Sequence, residues 1–92
     1  MPTVRIPTQL RSLTEGRAEV AAAGSTVAAV IDDLESRFPG VGERLLDDVG
    51  EPRRFINIYV DEEDVRFLDG TATAVTDEAR VSIIPSVAGG RR

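Results

Sequence analysis

The sequence predicts an α+β domain, one mixed β-sheet with a single main helix laid across one face, and three observations lead there. Only one long stretch, Val27 to Phe38, places apolar residues at helical spacing. Two short runs before it and three after it have the alternation or β-branched richness of strands. No linker, internal repeat or low-complexity stretch divides the 92 residues, so one core has to serve every element.

Thr3-Val4-Arg5-Ile6-Pro7 alternates polar and apolar residues, the period of a half-buried strand, and Pro7 stops it because proline cannot donate to a ladder. Arg11 to Gly16 reads as a hairpin turn, and Arg17 to Ala22 alternates again as an antiparallel second strand. Gly24-Ser25-Thr26 opens the helix, with either hydroxyl placed to cap its free amides. Val27, Val30, Ile31, Leu34 and Phe38 form its apolar face, Asp32, Asp33, Glu35 and Arg37 its wet face, and Pro39-Gly40 its end. Burying those five apolar side chains supplies on the order of 10 kcal/mol of gross driving force before entropy is subtracted. Gly42 to Asp48 reads as a helical turn or two and Val49 to Arg54 as a loop.

The strongest strand is Phe55 to Val60. Parity turns Ile56, Ile58 and Val60 toward the helix and leaves Phe55, Asn57 and Tyr59 outward. An acidic turn, Asp61 to Asp64, leads to an expected short strand at Val65-Arg66-Phe67-Leu68. The turns at Asp69-Gly70 and Thr76-Asp77-Glu78 precede the last strand, Arg80 to Ile84, with Val81 and Ile83 inward and Ser82 and Ile84 outward. The order is β-β-α-β-β-β. Joining strand two to the later strands over the helix lets the first and last strands lie parallel at the sheet centre, which is the β-grasp topology. Residues 1–85 make that domain and residues 86–92 a flexible tail in which Pro85 and Gly89-Gly90 discourage further pairing. From Ser86 to Gly90 the tail reaches roughly 17 Å when extended.

Eleven basic against 16 acidic residues give a net charge of −5, which argues against nucleic acid and against a membrane surface and points to partners with a basic docking face. The N-terminus lacks a signal peptide's regions and no apolar run approaches a membrane span, so a cytoplasmic location and a free monomer are expected. The chain has no cysteine and no histidine, and all eleven basic residues are arginine. Thiol, imidazole and lysine chemistry are therefore missing. Asp61, Glu62, Glu63 and Asp64 do not follow a calcium loop's spacing and read as a solvated turn; no metal is expected.

Four stretches, Val4 to Arg11, Gly24-Ser25-Thr26-Val27 with Leu34, Phe55 to Val60 with Asp64 to Phe67, and Ser82 to Gly90, together resemble the ubiquitin-like sulfur carriers of the MoaD/ThiS family. Within it they look most like the carriers of the cysteine-biosynthesis branch. The resemblance implies a carrier rather than an enzyme, with sulfur held as a thiocarboxylate on the terminal glycine, here Gly90, and with Val87, Ala88 and Gly89 inserted into partner active sites. It implies no cofactor on this chain and three kinds of partner. An E1-like adenylyltransferase and sulfurtransferase uses ATP, a PLP-dependent cysteine synthase takes the sulfur, and a JAMM-type zinc peptidase releases the product.

The departure from the family pattern is Arg91-Arg92 after Gly90. The expectation is that these two residues are clipped at Gly90 by the same peptidase; rival readings are that they are foreign to the domain or that sulfur carriage has been lost. Phe55, Tyr59 and Ile84 are expected to form a partner-docking patch at the tail root unless a loop or the short helix covers them. Two other functions stay open, a non-covalent small subunit of a molybdopterin-synthase-like complex and a ubiquitin-like protein modifier.

Overall fold

A computed structural model describes residues 1–85; the readings made for Val87, Ala88, Gly89, Gly90, Arg91 and Arg92 lie outside the described residues. Strands β1 (Thr3–Arg5) and β2 (Glu19–Ala21) form the opening hairpin, followed by α1 (Val27–Arg37) and the short α2 (Val41–Leu45). Strands β3 (Ile56–Val60), β4 (Glu63–Asp64) and β5 (Arg80–Pro85) complete the sheet. Its order is β2-β1-β5-β3-β4, with β1 and β5 parallel at the centre and the other neighbours antiparallel. The first and last strands thus sit side by side, and the fold is a β-grasp.

One face of the sheet is the core. Val4, Val20, Ile58, Val60, Val81 and Ile83 are buried against Val27, Val30, Ile31 and Leu34 of α1, as the alternation requires. Thr26, not Ser25, caps the helix: its Oγ1 accepts from the Ala29 amide at 3.2 Å. Gly24 precedes it at φ 153°, where a Cβ would lie 2.7 Å from the Val30 nitrogen and 2.9 Å from the Ala29 carbonyl carbon. The chain can turn into the helix this closely only without a side chain.

The last strand runs one residue further than its alternation suggested, because Pro85 pairs opposite Ile56. Asp61 donates to the Arg80 carbonyl at 3.0 Å, so the hydrogen-bonded rungs of this antiparallel pair fall at Asp61–Arg80 and every second rung beyond it. Ile56–Pro85 is then a non-hydrogen-bonded rung, where a missing N–H leaves no gap.

Two expected elements change. Thr8–Thr14 is a 3₁₀ helix where a turn was expected from Arg11, anchored by Leu10 and by the buried Thr14, whose hydroxyl lies 3.0 Å from the Arg17 carbonyl and 3.3 Å from that of Arg11. Val65–Phe67 is a 3₁₀ turn and not a strand, and β4 forms two residues earlier. The cause is a two-residue turn: Asp61 and Glu62 take φ of 50° and 78°, so pairing resumes at once at Glu63, opposite Val60. Asp64 then accepts from the Arg66 amide at 2.8 Å and coils the chain, burying Val65 and leaving Phe67 86% exposed.

The wet face of α1 also works harder than expected. Asp32 is exposed, but Asp33 accepts from the Ala23 amide and from Arg37, both at 3.0 Å, fastening the helix to the end of β2. Glu35 accepts from the amides of Gly40 at 3.1 Å and Gly42 at 2.8 Å, supplying the cap that glycine cannot give α2.

Candidate interaction surface at the tail root

Parallel pairing means that β1 and β5 leave the sheet at the same edge, and β3, antiparallel to β5, begins there. Pro85, the last described residue, lies at this end of the sheet. Ile84 lies opposite Asn57 on the face away from the helix and is 48% exposed; Phe55, just before β3, is 47% exposed. Neither the short helix nor a described loop covers them. Tyr59 shares this face but stands one rung pair deeper, half-buried between Ser82 and Asp64. The structure therefore brings Phe55 and Ile84 to the tail root and sets Tyr59 behind them.

Arginines surround these apolar residues, and the sequence reading overlooked them. The Arg66 guanidinium donates to Asn57 Oδ1 at 2.7 Å and to the Ile56 carbonyl at 2.8 Å, which fixes it beside the Ile84 rung. Arg54 lies over the Phe55 ring, 5.6 Å from its centroid. On the other flank Arg5 and Arg11 line a groove of about 420 Å³ together with Thr8, Gln9, Ile84 and Pro85. Arg11 Nε donates to the Ile6 carbonyl at 3.1 Å, which holds that side chain against the groove wall. The outward parity of Arg5 was readable from the first strand; that it faces Ile84, far away in sequence, follows only from the parallel pairing.

The remaining site readings fall elsewhere. The acidic run Asp61 to Asp64 is at the opposite end of β3 from Phe55, divided between a turn and β4. Among the described residues no three metal-ligating side chains gather, and no helix is long and apolar enough to cross a membrane. What the tail root offers chemically is apolar contact, guanidinium groups and a groove beside the strand from which the tail leaves.

Known proteins are similar to this chain, some of them along nearly its full length. The ThiS family matches residues 4–90. The sulfur carrier protein CysO of Mycobacterium tuberculosis is 53% identical over 90 residues, covering 96% of this chain and 97% of that protein. The small archaeal modifier protein 3 of Haloferax volcanii is 41% identical over 66 residues, covering 72% of this chain and 71% of that protein. A chain in the crystal structure of the Amycolatopsis orientalis BexX/CysO complex superposes with a TM-score of 0.92 at 48% identity, covering 98% of this chain and all of that one. A family match over almost every residue, joined to a β-grasp sheet with its last strand at the centre, establishes that the chain belongs to the ThiS family of ubiquitin-like sulfur carriers and is a homologue of CysO.

Proposed function

We propose that this chain carries sulfur as a thiocarboxylate on Gly90 and donates it for the biosynthesis of cysteine or another sulfur-containing metabolite. The observation that carries the reading is that the family match ends at residue 90, on the second glycine of Gly89-Gly90, while Arg91 and Arg92 follow. As encoded, Gly90 ends in a peptide bond. Hydrolysis of that bond releases Arg91-Arg92 and leaves a carboxylate. An E1-like partner joins that carboxylate to the α-phosphate of ATP with loss of pyrophosphate, and sulfide sulfur then displaces AMP. The thiocarboxylate sulfur adds to an electrophilic carbon of an acceptor held by a PLP-dependent synthase, forming a thioester. The Gly90 acyl group then shifts from that sulfur to the product's own amine, and a JAMM-type zinc peptidase hydrolyses the resulting amide, freeing the product and restoring the Gly90 carboxylate.

In each step this chain supplies the tail and a place to hold it. Val87, Ala88 and Gly89 bring Gly90 into narrow sites because none of them carries a long side chain, and Phe55, Ile84 and the deeper Tyr59 give the partner an apolar foothold. Composition supports the same reading: an acyl adenylate is open to amines and thiols, and a chain without lysine or cysteine presents no such side chain to itself or to its copies.

The test is the intact mass of the chain recovered from its native cell. Species ending at Gly90, part of them heavier by the difference between sulfur and oxygen, are expected. A population that keeps Arg91-Arg92 and shows no sulfur-bearing fraction would refute the proposal. The likeness to an archaeal modifier favours one second reading, transfer of the same activated Gly90 to lysines of other proteins; adducts that survive denaturing electrophoresis would identify it.

A further inference from the structure

We propose that the groove flanked by Arg5 and Arg11 is a receptor for a carboxylate-bearing segment of the protein partner that handles the tail. The inference names the partner's surface chemistry and rests on the carrier reading above only for what the partner does next. Overall charge points the other way: without Arg91 and Arg92, the net charge of −5 becomes −7, which on its own selects a basic partner. The charge is not spread evenly, however. Asp61, Glu62, Glu63, Asp77 and Glu78 collect where β5 begins, around the paired Arg80 and Asp61. Where β5 ends, the side chains beside Ile84 are Arg5 and Arg11, with Arg54 over Phe55. Acidic side chains therefore gather where β5 begins, and Arg5, Arg11 and Arg54 where it ends.

These arginines are also unspent. Arg5, Arg11 and Arg54 take part in no ion pair among the described residues, whereas Arg37, Arg66 and Arg80 each have a carboxylate within 4.0 Å. Glu19, the acid opposite Arg5, reaches toward Arg80 at 3.6 Å instead. The groove adds the Thr8 hydroxyl and the Gln9 amide to the two guanidinium groups, above an apolar floor containing Ile84. Planar guanidinium forks beside neutral donors and a hydrophobic floor suit an extended segment alternating carboxylate and aliphatic side chains. Such a segment brings its protein against the strand that ends in the tail, so docking and delivery of Gly90 are coupled by position alone.

The test uses the full chain and a synthetic peptide of alternating leucine and glutamate, followed by amide chemical-shift mapping at low ionic strength. The expected shifts cluster at Arg5, Ile6, Thr8, Gln9, Ser82 and Ile84, weaken as salt is added, and lose at least tenfold in affinity in the Arg5→Glu, Arg11→Glu double variant. The Arg5→Gln, Arg11→Gln variant, which removes both charges and the Arg11–Ile6 hydrogen bond without introducing carboxylates, should fall in between. Absent or scattered shifts, or binding unchanged by the double variant, would overturn the proposal. So would equal binding of the lysine counterpart of the peptide, or inorganic phosphate seating at the same residues as tightly as the peptide, which would make the groove a small-anion site. The intact mass at Gly90 is read separately: a processed Gly90 with no peptide binding defeats the groove and spares the carrier, and peptide binding with an uncut tail does the reverse.

Discussion

The two ends of the central strand are built on opposite plans. Where β5 begins, the polar groups answer one another: Asp61 and Arg80 exchange two hydrogen bonds of 3.0 Å, Glu63 pairs opposite Val60, and the nearby Gly24 packs onto the first turn of α1 without room for a methyl. Where β5 ends, apolar side chains face water and Arg5, Arg11 and Arg54 lack counter-charges among the described residues. The first end is finished by the chain itself and the second leaves apolar groups and cations open at the surface. Substitutions should separate accordingly, with stability lost at the first end and recognition at the second.

The largest expected effect tests the closed end. Gly24→Ala forces a Cβ to within 3.0 Å of helix backbone and should cost about 3 kcal/mol, read as a lower midpoint in urea, while the folded fraction still binds its partners. At the open end, Ile84→Asp should weaken partner binding by about 2 kcal/mol, or more than tenfold, in titration calorimetry. Its urea midpoint should stay near wild type, because Ile84 is already half exposed. If that variant instead unfolds, the contrast between the two ends fails. Asp61→Ala leaves the Arg80 amide without its 3.0 Å acceptor and should remove about 1 kcal/mol of stability with sulfur loading unchanged. The smallest effect has the opposite sign: Glu62→Gly relieves a side chain held at φ 78° and should raise stability by about 0.5 kcal/mol.

Much of the closed scaffold was legible in the sequence. The 3.6-residue spacing of Val27, Val30, Ile31 and Leu34 and the alternation of Ile56, Ile58 and Val60 each have several repeats, so a packed face leaves a clear pattern. β4 has two residues and no period to detect, and Val65-Arg66-Phe67 mimics alternation although only Val65 is buried. Asp33 and Glu35 looked solvated because the amides they accept from, on Ala23, Gly40 and Gly42, belong to other segments. At the tail root, the outward parity of Phe55 and Ile84 was legible, whereas the arginine rim was not. Arg5 and Arg11 become neighbours of Ile84 only when the ends of the chain meet, and net charge counts residues without saying where they gather.

The position of β5 also matters before the protein has finished being made. It is the last strand to be synthesised and the central one in the sheet, inserted between β1 and β3. A chain interrupted before Arg80 exposes an unpaired edge on each of those strands, a state suited to aggregation or degradation rather than to service. Contacts between β1 and β5 join residues nearly 80 positions apart, so they form slowly and only after the last described strand has been made. Every molecule that completes the sheet has therefore been translated at least through Pro85, so an unfinished chain is distinguished from a finished one by the state of its central strand.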